Sequence, residues 1–435
     1  MGSVRRFLFR AIIFFVFFFL LLEKGLSRAQ DGFIPEKERE RPHPAAVRAA
    51  APSSDLRGDG QEDRLREWSR LVIGEVEDEF LQIKILHDWV VLNISYDTQA
   101  LSSGRIPSQE IDAVLKNKKG VCEGYARLFR ALARAAGFEC EIIRGEVRLP
   151  LQKKSQTTLS HAWNAVKVGG EWYLVDTTWD AGFLTGDSYQ SRYATTFLFK
   201  PPEELIFTHF PDNPRWQLLS IPLTKAEFFK QPLLIGPYFS FFSSSTLEGM
   251  SQGENLPHPF AVDFFPTKEL RLFAQIRIGE KRLSERHIWA DKSGKTLRLS
   301  FLFPQAGDYT LLFFASDSPD DRPLELIGEI AVFAPEGVFY VYPLVYADFI
   351  QKGGRILSSL NPLRKGEMFD FKFQLPGFKK ALLVAGEKQF HLNRGPDDIF
   401  TLQLLIPDAD ELFLFGGVEE DSEEYKGLLL YSIYD

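Results

Sequence analysis

Cysteine is nearly absent from this 435-residue chain, with Cys122 and Cys140 as its whole complement. Two cysteines cannot staple a small scaffold or supply a four-thiolate zinc site, so any thiol chemistry falls to one residue or one pair. A basic excess is also missing: 51 Lys and Arg face 59 Asp and Glu, for a formal net charge of −8. With no surplus cations to displace phosphate counterions, nucleic acid is not an expected partner. The histidines show no His-x-x-x-His or comparable ligand spacing, and no glycine-rich phosphate loop follows a strand pattern. His87, His209, His258, His287 and His391 are therefore read as structural, and neither a metal nor a cofactor is expected.

What is present begins with one uninterrupted apolar run, Ala11 to Leu22, preceded by Arg5, Arg6 and Arg10 and followed by Ser27-Arg28-Ala29. A charged start, a short apolar stretch and small residues at a cleavage position mark residues 1–29 as a secretory signal. The run gives about 18 Å of helix against a hydrocarbon core of about 30 Å, so a spanning anchor would have to recruit Phe7, Leu8 and Phe9 across Arg10. The protein is thus expected to be exported (periplasmic, cell-surface or secreted), with membrane contact only if the segment stays uncleaved. Cleavage would remove five Lys/Arg and one Glu, taking the charge from −8 to −12.

At 45% hydrophobic and 14% aromatic, the remainder can fill several cores. Residues 30–64 carry Pro35, Pro42, Pro44 and Pro52 with little apolar periodicity and read as a disordered linker. Order is expected from residue 65, where Leu65, Trp68 and Val72 and then Phe80, Ile83, Leu86 and Val90 recur at helical spacing. Beyond Thr224 the pattern changes to short strands between Gly, Pro, Asn and Asp. Alternation is clear in Tyr309 to Phe313 and in Phe369 to Leu375. About 210 residues is long for one sandwich of roughly 100, and Ala334-Pro335-Glu336-Gly337 offers a joint. The expected fold class is therefore α+β: a mixed domain over 65–224, then two all-β sandwich domains over 232–334 and 335–435.

The chemistry-bearing segment is Gly120 to Asp180. Gly120-Val121-Cys122-Glu123-Gly124-Tyr125-Ala126 opens a helix with Ala126, Phe129, Leu132, Ala133 and Ala136 on one face and Gly137 as its stop. Cys122 falls in the first turn, where unpaired amides, the helix dipole and nearby Lys118 and Lys119 favour the thiolate, the form that attacks a carbonyl. Taken alone, a cysteine at a helix start is more often a small buried hydrophobe; Cys140, in the strand pattern Phe138 to Ile143, is read as core, the alternative being a bridge to Cys122 in an oxidising compartment, which would abolish the nucleophile. Two further residues change the odds. His161-Ala162-Trp163-Asn164-Ala165-Val166-Lys167-Val168 and Glu171-Trp172-Tyr173-Leu174-Val175-Asp176 flank Gly169-Gly170, the signal of a tight hairpin. If Val168 opposes Glu171, His161 and Asp176 are diagonal neighbours on one face, about 7–8 Å apart and within reach of a hydrogen bond. A register slipped by one residue would turn Asp176 to the other face. In that arrangement Asp176 fixes the imidazole of His161, and His161 takes the proton of Cys122. Each residue alone has a bland structural explanation; together those explanations require three coincidences.

The three segments around Cys122, His161-Ala162-Trp163-Asn164-Ala165-Val166 and Val175-Asp176-Thr177-Thr178-Trp179 resemble the core of the transglutaminase-like superfamily, itself similar to papain-like cysteine peptidases. Asn93-Ile94-Ser95-Tyr96-Asp97 upstream, with Tyr193 to Pro201 and Trp216-Gln217-Leu218-Leu219 downstream, resembles the kyphoscoliosis peptidase type. The resemblance covers residues 65–222 firmly and 232–435 loosely, and leaves out residues 1–64. It implies a papain-like/transglutaminase-like core followed by immunoglobulin-like sandwich domains. By the same resemblance Cys122 is the nucleophile, His161 the general base and Asp176 the orienting acid. For the oxyanion it implies the Cys122 amide plus a side-chain donor, with Gln99, Gln109 and Trp89 as candidates. The function implied is cysteine-dependent acyl transfer on a peptide or protein substrate, a resemblance that spans hydrolysis, deamidation and transamidation; hydrolysis through a thioester is favoured because water is abundant and no acidic amine-binding pocket is evident. The competing expectation is a catalytically silent interaction module of the cell envelope or surface.

Overall fold

The structure, a computed structural model, describes residues 34, 36–52, 60–150, 158–185, 188–256, 260–318 and 324–435. The segment 1–29, read as a secretory signal, lies outside the described residues. Among the described residues no helix is long and apolar enough to cross a membrane. The chain divides into two compact units, one running to Phe229 and including Leu233–Pro237, the other comprising Lys230–Pro232 and Tyr238–Asp435.

In the first unit, helices α1 (Pro44–Arg48), α2 (Gln61–Ile73), α3 (Glu79–Asn93) and α4 (Cys122–Ala135) surround one apolar core. The Asp78 side chain starts α3 by accepting the Leu81 amide at 2.9 Å, a normal N-cap. The periodicity of α3 predicts one buried stripe, but every residue from Ile83 to Val91 is buried because α1, α2 and α4 cover different sides of it. That makes α3 a core helix with charged residues inside it. Helix α4 buries Ala126, Phe129, Leu132 and Ala133 and is followed by Gly137 at φ +102°, a conformation that suits glycine after a helix end.

Residues 36–52 correct the linker expectation. Glu36–Arg39 and α1 are helical, Ile34 and Ala46 are buried in the core, and the indoles of Trp68 and Trp89 donate to the carbonyls of Ala50 (2.8 Å) and Ala49 (3.2 Å). The prolines misled because Pro44 stands at the first position of α1, where the missing amide costs nothing. The segment is held by residues 18 and 40 positions away, which local periodicity cannot register.

Against these helices lies an antiparallel sheet of β1 (Cys140–Val147), β2 (Leu159–Val168), β3 (Glu171–Val175), β4 (Leu198–Lys200) and β5 (His209–Pro211), in the order β4-β3-β2-β1-β5. Gly169 and Gly170 at φ +58° and +86° close the β2–β3 turn, and Val168 pairs with Glu171, the register the two-glycine turn dictates. Cys140 is fully buried at the start of β1, and both cysteines are free. Leaving β3, the chain enters the short helix α5 (Thr177–Asp180).

The second unit is β-rich in two successive stretches. The first has β6 (Phe242–Ser245), β7 (Phe260–Pro266), β8 (Arg271–Ile278), β9 (Ile288–Ser293), β10 (Thr296–Phe301), β11 (Gly307–Ser316) and β12 (Glu325–Ala334). One sheet runs β6-β7-β10-β9, and β12, β11 and β8 are neighbours in another. Phe264 and Phe301 of the former meet Phe313 of the latter at ring separations of 5.4 and 6.0 Å. The second stretch has β13 (Met368–Gln374), β14 (Lys380–Ala385), β15 (Lys388–His391), β16 (Ile399–Leu405), β17 (Glu411–Gly417) and β18 (Lys426–Tyr434). There β13 pairs with β16 and β18-β17-β14-β15 form the other sheet, with one apolar cluster drawn from both. Phe371 and Phe373 point inward while Asp370 and Lys372 stay exposed, the period-2 pattern of a half-buried strand.

Candidate active site

The N-terminus of α4, the β2–β3 hairpin and the entry to α5 converge on Cys122, His161 and Asp176. Cys122 is the first residue of α4 and partly exposed. Its position leaves backbone amides of the first turn without helical partners, as at any helix start. The preceding Val121 amide is held by the side-chain oxygen of Gln109 at 2.9 Å. His161 projects from β2, 7% exposed, and its Nε2 lies 2.6 Å from Asp176 Oδ2. The other ring nitrogen, Nδ1, is left for the thiol of Cys122, a further hydrogen-bond partner of the ring.

Asp176 is anchored on every side. Oδ1 caps α5 by accepting the amides of Thr178 (2.8 Å) and Trp179 (3.2 Å), and its own amide donates to the Phe197 carbonyl at 3.0 Å. Oδ2 faces both His161 Nε2 and, at 3.1 Å, His209 Nε2. His209 comes from β5, and its Nδ1 lies 2.7 Å from the Thr208 hydroxyl. The His161 ring lies between the rings of Trp163 and Trp179, each 6.0 Å away.

Charge follows this geometry. Burial opposes a charged His161, but the Asp176 charge and hydrogen bond, together with Cys122, outweigh it and raise its pKa to about 10. Burial would raise Asp176, yet the charges and hydrogen bonds of His161 and His209 hold it well below the usual carboxylate range. His209 goes the other way: burial, aided by repulsion from His161 and only partly offset by Asp176, lowers it to about 4, so it is neutral. Of the two imidazoles around one carboxylate, one is thus charged and the other neutral.

The two histidines should tilt stability in opposite directions with pH. His161, raised from 6.5 to about 10, contributes stability that is full below 6.5 and lost as pH rises through its folded value. His209, lowered from 6.5 to about 4, leaves the unfolded chain binding a proton that the folded chain refuses, so stability falls as pH drops through that window. Thermal unfolding followed from pH 4 to 10 is expected to show both limbs, and His209→Gln is expected to flatten only the acidic one. An unchanged acidic limb in that variant would contradict the assignment of a neutral His209.

His161 Nε2, Asp176 Oδ2 and His209 Nε2 lie within 4.8 Å of one another, a cluster that His209's lack of sequence spacing did not announce. A zinc ion at about 2.0–2.1 Å from each donor would keep tetrahedral ligand atoms about 3.3 Å apart. At 2.6 Å the His161–Asp176 contact is instead a charge-assisted hydrogen bond.

The candidates for the oxyanion donor are redistributed. Trp89 is buried with its indole on Ala49, Gln109 spends its oxygen on Val121 and its amide on Pro107 (3.0 Å), and Gln99 is exposed. Tyr96 is a further candidate. Its backbone pairs with Gly120, two residues before Cys122. Burial, then the charges of Cys122 and Asp176, hold its phenol well above the ordinary value, so it stays a proton donor. Tyr96 was legible only as part of the Asn93 to Asp97 motif, and His209 carried no local signal at all.

Comparison with known proteins places this geometry. Residues 66–177, which include Cys122, His161 and Asp176, match the transglutaminase-like superfamily model. The chain is similar to kyphoscoliosis peptidase of Mus musculus, 30% identical over 162 residues covering 36% of this chain and 24% of that protein. It is also similar to Hillarin of Drosophila melanogaster, 29% identical over 144 residues covering 29% of this chain and 18% of that one. Among solved structures, a crystal structure of a TGase aligns with 41% of each chain at 16% identity and a TM-score of 0.23. The chain therefore spans about a quarter or less of the length of these two relatives.

Proposed function

We propose, from the premise that residues 66–177 form a transglutaminase-like domain similar to that of kyphoscoliosis peptidase, that this protein is a cysteine-dependent acyl transferase that hydrolyses peptide or protein amides. The observation that carries the reading is the hydrogen-bonded line from the helix-terminal Cys122 thiol through His161 to Asp176. The resting site is a thiolate beside an imidazolium. The thiolate attacks the amide carbonyl carbon, forming a C–S bond, while the carbonyl electrons move to oxygen. Donors at that oxygen are the Cys122 amide and the Tyr96 phenol. When the tetrahedral adduct collapses, the C–N bond breaks and His161 Nδ1 gives its proton to the departing amine. Water then gives its proton to His161 and attacks the thioester; the C–S bond breaks and the ion pair returns. Water is favoured over an amine as acceptor because it is abundant and no acidic amine-binding pocket is evident from the sequence.

The two halves of the second unit are read as immunoglobulin-like sandwiches, supported by their paired antiparallel sheets with shared apolar cores. Export is read from the Arg5 to Ala29 pattern alone. The test is an activated ester. A burst of released alcohol equal to the enzyme concentration, followed by slow turnover and abolished in Cys122→Ala, is expected of a thioester intermediate. Slow release without a burst, equal in both proteins, would instead favour the silent interaction module.

A further inference from the structure

A chain of buried ionisable groups lies beneath the site and takes no part in the acyl transfer. Lys84, His87 and Asp88 of α3 and Asp180 of α5 are each at most 1% exposed. His87 stands in the middle, with Nδ1 3.1 Å from Asp88 Oδ1 and Nε2 3.0 Å from Asp180 Oδ2. Only a doubly protonated ring can donate both ways. Burial opposes that charge, but the hydrogen bonds and charges of Asp180 and Asp88 raise His87 regardless. Burial pushes Asp180 up as well, against the hydrogen bond and charge of His87.

The inner end of the chain reaches Asp176 in two steps. Both oxygens of Asp180 accept the Phe197 amide at 3.0 Å, and the Phe197 carbonyl accepts the Asp176 amide at the same distance. The Phe197 ring packs on Trp179 at 5.0 Å and His209 at 5.7 Å. The outer end closes on the segment that the sequence disguised as a linker. Lys84 Nζ, ion-paired with Asp88, also donates to the Arg41 carbonyl at 2.8 Å and the Tyr193 hydroxyl at 2.9 Å. Asp88 accepts the His43 amide at 2.7 Å and the Tyr193 hydroxyl at 2.9 Å, and Thr195 donates to the Arg39 carbonyl at 3.2 Å. The His43 ring faces the charges of Lys84, Asp88, Glu38 and Arg48. Burying ions is costly, and replacing a buried ion pair by apolar residues of similar volume is often neutral or stabilising.

We propose that this chain holds the Asp176 carboxylate on His161, with His87 as a positioning residue and the backbone of residues 39–43 as the clamp that completes it. The inference rests on the reading of Cys122, His161 and Asp176 as the reacting set. The clamp admits a sharp test because His43 already has φ −63°, the value proline imposes. His43→Pro deletes the amide given to Asp88, whereas His43→Ala keeps that amide and loses only the ring that caps Ala45.

The readout is the proton resonance of the His161 Nε2–Asp176 Oδ2 hydrogen bond in the full chain, recorded together with the pH dependence of Cys122 alkylation. In the native protein the resonance is expected far downfield, as for a short charge-assisted bond. It is expected to move upfield or broaden in His87→Gln and His43→Pro but not in His43→Ala, and the alkylation midpoint in the first two should rise by about one pH unit, roughly tenfold less reactivity below it. Should His87→Gln fail to fold, the two His43 variants decide. A resonance absent from the native chain, or identical in all variants, would overturn the proposal. A resonance that responds as expected while Cys122 is unreactive even in the native protein would uphold the positioning chain and defeat the acyl-transfer reading.

Discussion

Asp176→Asn is expected to lower turnover by about 10³- to 10⁴-fold while leaving the fold intact. The asparagine oxygen can keep the caps on Thr178 and Trp179, which turns its NH₂ toward His161 Nε2 and His209 Nε2. His161 must then present a lone pair at Nε2 and carry its proton on Nδ1, the nitrogen that should accept the proton of Cys122. The base is present but in the wrong tautomer. Steady-state turnover and thermal unfolding measured on the same preparation separate this from general damage: a large loss of rate with a small change in Tm is the expected pair. A near-native rate would mean that Asp176 only caps α5.

Asp88→Ala should give the largest loss of stability, about 3–5 kcal/mol, because it strands an ammonium group in the core. Lys84 is 1% exposed, and burial already lowers its pKa with Asp88 opposing the shift. The same substitution removes the acceptor of the His43 amide and a partner of His87. For a unit of this size the melting temperature should fall by roughly 10 °C. Asp63→Ala is the control, since Asp63 pairs with Arg66 at side-chain exposures of 78% and 57% and its loss should cost under about 1 kcal/mol. Equal shifts in the two variants would show that the buried pair is no better than a surface one.

The parts of the fold legible in the sequence were those fixed by short-range rules. Gly169-Gly170 dictates a tight turn, the turn dictates register, and register brings His161 to Asp176. The helix start at Cys122 and the alternation around Phe371 and Phe373 are equally local. What escaped depends on distant partners. Proline at a helix start looks the same in sequence as proline in a linker, and only Trp68, Trp89 and Asp88 reveal that residues 43–50 are folded. The helical spacing of Phe80, Ile83, Leu86 and Val90 marks one apolar stripe and says nothing of Lys84, His87 and Asp88, which are also buried in α3. His209 reaches Asp176 from 33 residues away without any motif. Tyr96 joins the oxyanion candidates because a two-residue parallel pairing of Ser95 and Tyr96 with Lys119 and Gly120, too short to read from sequence, ties its backbone to the residue two before Cys122.

The deciding measurement is the rate of Cys122 alkylation by iodoacetamide against pH, made in a Cys140→Ser background and repeated in His161→Ala. A thiolate paired with the His161 imidazolium predicts rapid alkylation well below pH 7 that is lost in the variant. If both proteins instead titrate together near the free-thiol value of about 8.5, or neither reacts, the ion pair does not exist and the acyl-transfer function falls with it.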